Sequence, residues 1–151
     1  MYESLQEFLE LLNTHKVKYV IVGAYAYGCY AEPRFTNDLD IFVEPTTVNI
    51  CKISCSLQGF GFNDSGVNWN LFLIGEEVIR LGNPPLRIDI LPKISGISWK
   101  EVWKNKKRGT IGIKKKTCVY FIGKREFIIN KIASNRPKDI RDVEELKKRK
   151  L

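Results

Sequence analysis

Histidine is nearly absent from this chain, His15 being the only one, and the four cysteines (Cys29, Cys51, Cys55 and Cys118) contain no CxxC pair. That leaves too few clustered nitrogen and sulfur ligands for a zinc site. Cys51 and Cys55 lie four apart on a predicted helix and are expected to pack as small apolar residues rather than to form a disulfide. This usage fits a reducing compartment, and the expected location is cytoplasmic. Long hydrophobic runs are also missing. The longest uncharged stretch, Tyr19 to Ala31, holds two glycines and falls short of the roughly 20 apolar residues of a membrane span. The opening MYESLQEFLELL carries three Glu and no basic segment, so it does not read as a secretory signal. Internal repeats and low-complexity linkers are absent too, which argues against a fibrous protein.

What is present fits a folded domain. The chain has 151 residues, 44% hydrophobic and 28% charged, which predicts one domain over 1–151 with a sizeable core. The net charge of +8 is unevenly placed. Residues 1–97 carry 7 Lys/Arg against 11 Asp/Glu, a net of −4, whereas residues 98–151 carry 18 against 6, a net of +12. Such a basic C-terminal third suits a polyphosphate or nucleic-acid partner, or else forms a solvated Lys-rich surface.

Apolar spacing at Leu5, Phe8, Leu9, Leu11 and Leu12 predicts an amphipathic helix over 2–13. Val17 to Val22 reads as a buried strand stopped by Gly23, followed by a short helix over 24–31 that ends at Pro33. A second strand covers Leu39 to Val43. A helix capped by Thr46 or Thr47 then runs to about Leu57. Residues 62–75 are expected to be a hairpin arm or a loop with strand character. Strands follow at 78–81 and 86–91, joined by Gly-Asn-Pro-Pro. A short helix is expected at 98–103, a basic hairpin at 106–120 and two helices at 124–134 and 137–148. The fold class is mixed α/β: a single mixed sheet flanked by helices, with helices at the C-terminal end.

The sharpest chemical feature is Asn37-Asp38-Leu39-Asp40-Ile41-Phe42-Val43. On a strand, Asp38 and Asp40 project from one face, about 7 Å apart at Cα, while Leu39, Ile41 and Val43 face the core. Two carboxylates so placed are either surface charge or a pair that needs a cation, and hard oxygen ligands suit Mg²⁺. Upstream, Val20-Ile21-Val22-Gly23-Ala24 is a strand that ends in glycine and opens a helix, whose first N–H groups form an anion site. Arg34 and Thr36 add a forked donor and a hydroxyl, although Thr36 also suits a turn cap. In Arg87-Ile88-Asp89-Ile90-Leu91, Asp89 either pairs with Arg87 or supplies a third ligand.

The segment YVIVGAYAYGCYAEPRFTNDLDIFV, Tyr19 to Val43, resembles the signature of the DNA polymerase β-like nucleotidyltransferase superfamily: an apolar strand, a Gly-Gly or Gly-Ser step, then Asp-apolar-Asp. Asp89 in RIDIL matches that family's third carboxylate. The run Lys131, Arg136, Asp139, Asp142 is similar to the tail of small bacterial members, some of them toxin-like or defence-associated. The resemblance spans about 16–146. It departs at Ala24, where the family carries Gly or Ser: alanine keeps the backbone donor but loses a hydroxyl.

The resemblance implies transfer of a nucleoside monophosphate from an NTP to an acceptor hydroxyl, with pyrophosphate released. Asp38, Asp40 and Asp89 would be catalytic and would hold Mg²⁺ or Mn²⁺. Gly23, Ala24, Arg34, Thr36 and Lys131 would bind the nucleotide, with Lys131 alternatively confined to a helix-end ion pair. RNA held by the basic third, a small molecule or a protein would be the acceptor, and a protein partner or a second copy remains open. The competing expectations are a catalytically silent, antitoxin-like protein binder of the same fold and a basic RNA-binding module. Trp69, Trp99 and Trp103 either stack on a base or serve packing, and His15 is expected in the loop after the first helix.

Overall fold

The computed structural model describes residues 2–32, 38–82 and 87–149. Helix α1 (Tyr2–Thr14) leads into β1 (Tyr19–Val22), α2 (Gly23–Tyr30), β2 (Asp38–Val43) and α3 (Thr47–Gly59). A 3₁₀ turn (Asp64–Gly66) and α4 (Trp69–Leu73) precede β3 (Ile79–Leu81) and β4 (Arg87–Leu91). Then come α5 (Trp99–Lys104), the hairpin β5 (Lys107–Ile111) and β6 (Thr117–Phe121), α6 (Lys124–Ser134) and α7 (Pro137–Lys148). The architecture is mixed α/β, with one six-stranded sheet in the order β3-β4-β2-β1-β6-β5 and helices against it.

Register separates the two faces of the sheet. Pairing of Ile21 with Ile41, Ile41 with Ile90, and Ile90 with Ile79 puts Tyr19, Leu39, Val43, Ile88 and Leu81 on the same side. All are buried. This face receives α1, whose Asn13 Oδ1 accepts from the Tyr19 hydroxyl at 2.9 Å and whose Glu10 accepts from Thr117. The opposite face is divided. Asp38, Asp40, Arg87, Asp89 and Arg80 occupy one end of it, while Phe42 at the other end meets Trp99 edge-on, with ring centroids 5.1 Å apart.

Two capping arrangements explain how β1 begins. Lys16 N–H donates to the Asn13 carbonyl and Val17 N–H to the Leu12 carbonyl, so α1 closes in a Schellman motif with Lys16 in the left-handed position at φ +57°. Val17 therefore belongs to the helix cap, and the strand starts at Tyr19 rather than at Val17. Asn49, 2% exposed, accepts from Lys18 N–H and donates to the carbonyls of Lys18 and Glu44. This one amide ties α3 to the adjoining ends of β1 and β2.

Two expectations need correction. Residues 62–75 form no hairpin arm: they hold the 3₁₀ turn and α4, because Asn63 accepts from Ser65 N–H and Asn68 from Leu71 N–H, capping a turn and a helix in succession. Cys51 and Cys55 do not pack inside. Helix α3 buries Ile50, Ile53 and Leu57, which rotates both thiols outward, and all four cysteines are free and exposed. Among the described residues, no helix is long and apolar enough to cross a membrane.

Candidate active site: a carboxylate cluster beside a glycine turn

The cluster is assembled by parallel pairing of β2 with β4. Asp40 stands opposite Asp89 and Asp38 opposite Arg87, which brings three carboxylates and one guanidinium onto one face. Sequence alternation placed Asp38 and Asp40 together; adding Asp89 required a pairing between strands far apart in the chain.

Arg87 is the internal cation of the group. Its Nη2 donates to Asp38 Oδ2 at 2.9 Å and to Asp89 Oδ2 at 3.3 Å. Of the two expected alternatives for Asp89, the pair with Arg87 is present, and Asp89 also stands opposite Asp40. Arg80, on the neighbouring β3, lies 3.6 Å from Asp89 Oδ1. The charges are nonetheless unbalanced. Asp89 is 6% exposed, and its Oδ1 is buried with no hydrogen-bond donor among the described residues. Asp40 is pushed up to about 6 by burial first and then by the charges of Asp89 and Asp38, against the opposing pull of Lys131 and Arg87.

Gly23 is required here by geometry. It follows β1 at φ +69°, and a Cβ at this position would collide with the Asp40 carboxylate. The chain turns from strand to helix directly against the acid. Helix α2 has no side-chain cap at its N-terminus, so the first-turn N–H groups at Gly23 and Ala24 are not taken up by a capping side chain.

A second charged layer comes from the junction of α6 and α7. Lys131 donates to Asp139 Oδ1 at 3.2 Å, and Arg136 Nε donates to Asp139 Oδ2 at 2.8 Å. Asp139 is fully buried; burial works against its charge, yet the hydrogen bond from Arg136 and the charge and hydrogen bond of Lys131 hold its carboxyl below the usual value. The expected ion pair of Lys131 is present, and it spans two helices rather than closing one. Lys131 and Arg136 also act electrostatically on Asp40, so this junction borders the cluster. Arg136 was legible only as part of the tail run; its Asp139 partner three residues on was the signal.

Arg34 and Thr36 lie outside the described residues. Trp69 packs edge-on against Phe72, and Trp99 stacks on Trp103. His15 follows α1 as expected, with Nδ1 2.9 Å from the Leu11 carbonyl oxygen.

Asp38, Asp40 and Asp89 present hard carboxylate oxygens of the kind a divalent cation such as Mg²⁺ takes, while Asp89 Oδ1 already has Arg87 Nε at 3.3 Å and Arg80 Nε at 3.6 Å. Among the described residues, no group of three or more His, Cys, Asp and Glu side chains is arranged so that it could hold a metal ion. Arg87 stands on two of the three carboxylates instead. No protein-family model matches the chain, and no curated protein matches it.

Proposed function

We propose that the protein is a divalent-cation-dependent nucleotidyltransferase that moves a nucleoside monophosphate from an NTP to an acceptor hydroxyl and releases pyrophosphate. The observation that carries this reading is the opposition of Asp40 and Asp89 on adjacent strands, with Gly23 turning the backbone against Asp40. The resemblance of the Tyr19 to Val43 segment adds to it. Asp38, Asp40 and Asp89 would hold Mg²⁺ or Mn²⁺, which supplies charge neutralisation for the phosphates and acidifies the acceptor hydroxyl. N–H groups at Gly23 and Ala24 would receive phosphate oxygens at the start of α2. Lys131 and Arg136 contribute positive potential toward the same place, with Asp139 holding both in position. Arg87 would release Asp38 and Asp89 as the cation takes its role.

Thermal unfolding with each of the four NTPs, with and without Mg²⁺, tests this on the wild type and on Asp40→Asn. Ligand at about 100 times Kd adds about 2.7 kcal/mol to stability, a readily measured rise in Tm. A Mg²⁺-dependent rise with at least one NTP, absent in Asp40→Asn, is expected. Equal melting with and without every NTP would overturn the reading. The Arg87 ion pairs favour a second reading, a catalytically silent relative acting as a protein-binding, antitoxin-like partner, and that outcome would support it.

A further inference from the structure

The face of the sheet that carries the carboxylates ends, on its other side, in a basic groove of about 460 Å³. Its walls include Lys16, Lys18, Arg108, Trp103 and Tyr120. Register puts Arg108 directly opposite Tyr120, so guanidinium and phenol share a face of the β5–β6 hairpin. Tyr120 meets Trp103 edge-on at 5.6 Å between centroids, and Trp103 stacks on Trp99, giving a continuous aromatic wall. Lys106 lies along this wall, with its ammonium 3.7 Å from the Trp103 centroid and 5.1 Å from that of Tyr120. It is anchored there by a hydrogen bond to the Trp103 carbonyl.

Two independent features mark this as more than scattered surface charge. The first is that the lining itself pairs cations with aromatic rings, Lys18 lying 6.0 Å from the Trp103 centroid and Arg108 opposite Tyr120, an arrangement that meets phosphates and bases together. The second is Lys16. It occupies the left-handed position closing α1, at φ +57°, where glycine or asparagine is the inexpensive choice and another residue costs about 1–2 kcal/mol. A lysine stands at this strained backbone position, and it lines the groove. Glu44, paired with Lys18 at 3.8 Å, is the acid beside this group of cations.

We propose that this groove binds single-stranded nucleic acid, with backbone phosphates on Lys16, Lys18 and Arg108 and a base against the Tyr120–Trp103 wall. A duplex keeps its bases stacked inside and cannot offer one to the wall. Lys18 directly precedes β1 and Val22 pairs with Asp40, so groove and carboxylates are separated by four strand residues, about 13 Å. The residues between them on this face, Val20, Val22 and Phe42, are buried, so the groove is a separate surface from the carboxylates. Use of a bound strand as the acceptor rests on the transferase reading; the binding itself does not.

The experiment is fluorescence anisotropy with labelled oligouridine RNA, its DNA counterpart and a duplex, in EDTA and without NTP, across a salt series. Lys16→Asn suits the left-handed position while removing the charge, and Arg108→Gln sits on an exposed edge strand, so the double variant is expected to fold. Its affinity for single strands is expected to fall about tenfold or more, with the slope of log K against log salt reduced by about 1.4. The control Lys147→Gln/Lys148→Gln, at the end of α7, should bind as the wild type does. Because the measurement is made in EDTA and without NTP, its result is separate from failure of the transferase reading. Absence of single-strand binding, a preference for the duplex, or equal loss in the control and groove variants would each overturn the proposal.

Discussion

Arg87 and Asp38 stand opposite one another on parallel strands, and their side chains close a 2.9 Å ion pair that Arg87 shares with Asp89. The guanidinium thus neutralises part of a carboxylate group that would otherwise repel itself. Arg87→Gln is expected to lower Tm in EDTA by more than an ordinary surface change, because it leaves Asp89 buried beside Asp40 without its nearest cation. Added Mg²⁺ or Mn²⁺ should raise the Tm of this variant by more than that of the wild type. An equal response of both proteins to the cation would separate Arg87 from the cation site.

Asp40 gives the cluster a pH signature. Its carboxyl is raised to about 6 in the fold, above its unfolded value, so the stability it allows is fully present below the unfolded pKa and is lost as pH rises through about 6. In metal-free buffer, Asp40→Asn should therefore be more stable than wild type at neutral pH by on the order of 2–3 kcal/mol. The advantage should vanish near pH 4. Urea denaturation at a series of pH values measures it, and a pH-independent difference would refute the assignment.

Asp139 runs the other way. Its carboxyl is held below the usual value, so its contribution is present above the unfolded pKa and is lost as pH falls through the lower folded one. Asp139→Ala also strands Lys131, whose side chain is only 10% exposed. A cost of about 3–5 kcal/mol is expected from urea titration at neutral pH. Lys131→Met should cost less, because Arg136 still pairs with the carboxylate.

Gly23→Ala combines two penalties, a left-handed backbone and contact of the new Cβ with the Asp40 carboxylate. The backbone part alone is about 1–2 kcal/mol. The contact part should be relieved in Gly23→Ala/Asp40→Ala, so the two substitutions should couple by about 0.5–3 kcal/mol in a double-mutant cycle. Strict additivity would place Asp40 away from the turn.

Most elements were legible because local signals agreed: alternation in Asp38 to Val43, the helical spacing of α1, and Pro137 opening α7. Residues 62–75 misled because the apolar run from Val67 to Ile74 suits a strand or a helix, and the deciding signals were the two short Asn caps. The acid pair of β2 was readable from one strand, since side-chain alternation is a local rule. The bridging geometry of Arg87 was not, because it depends on the register of two strands separated by about a third of the chain. The groove was foreshadowed only as a basic C-terminal third. Two of its cations, Lys16 and Lys18, come from the acidic N-terminal part and reach it through folding alone.

The outermost strands, β3 and β5, set terms for self-association. One is three residues long, and the other carries Lys107 and Arg108 and a glycine whose missing side chain leaves room for Phe121. A short border and a charged border are both poor templates for a further strand. Extension of the sheet by a strand from a second copy is therefore disfavoured at both borders.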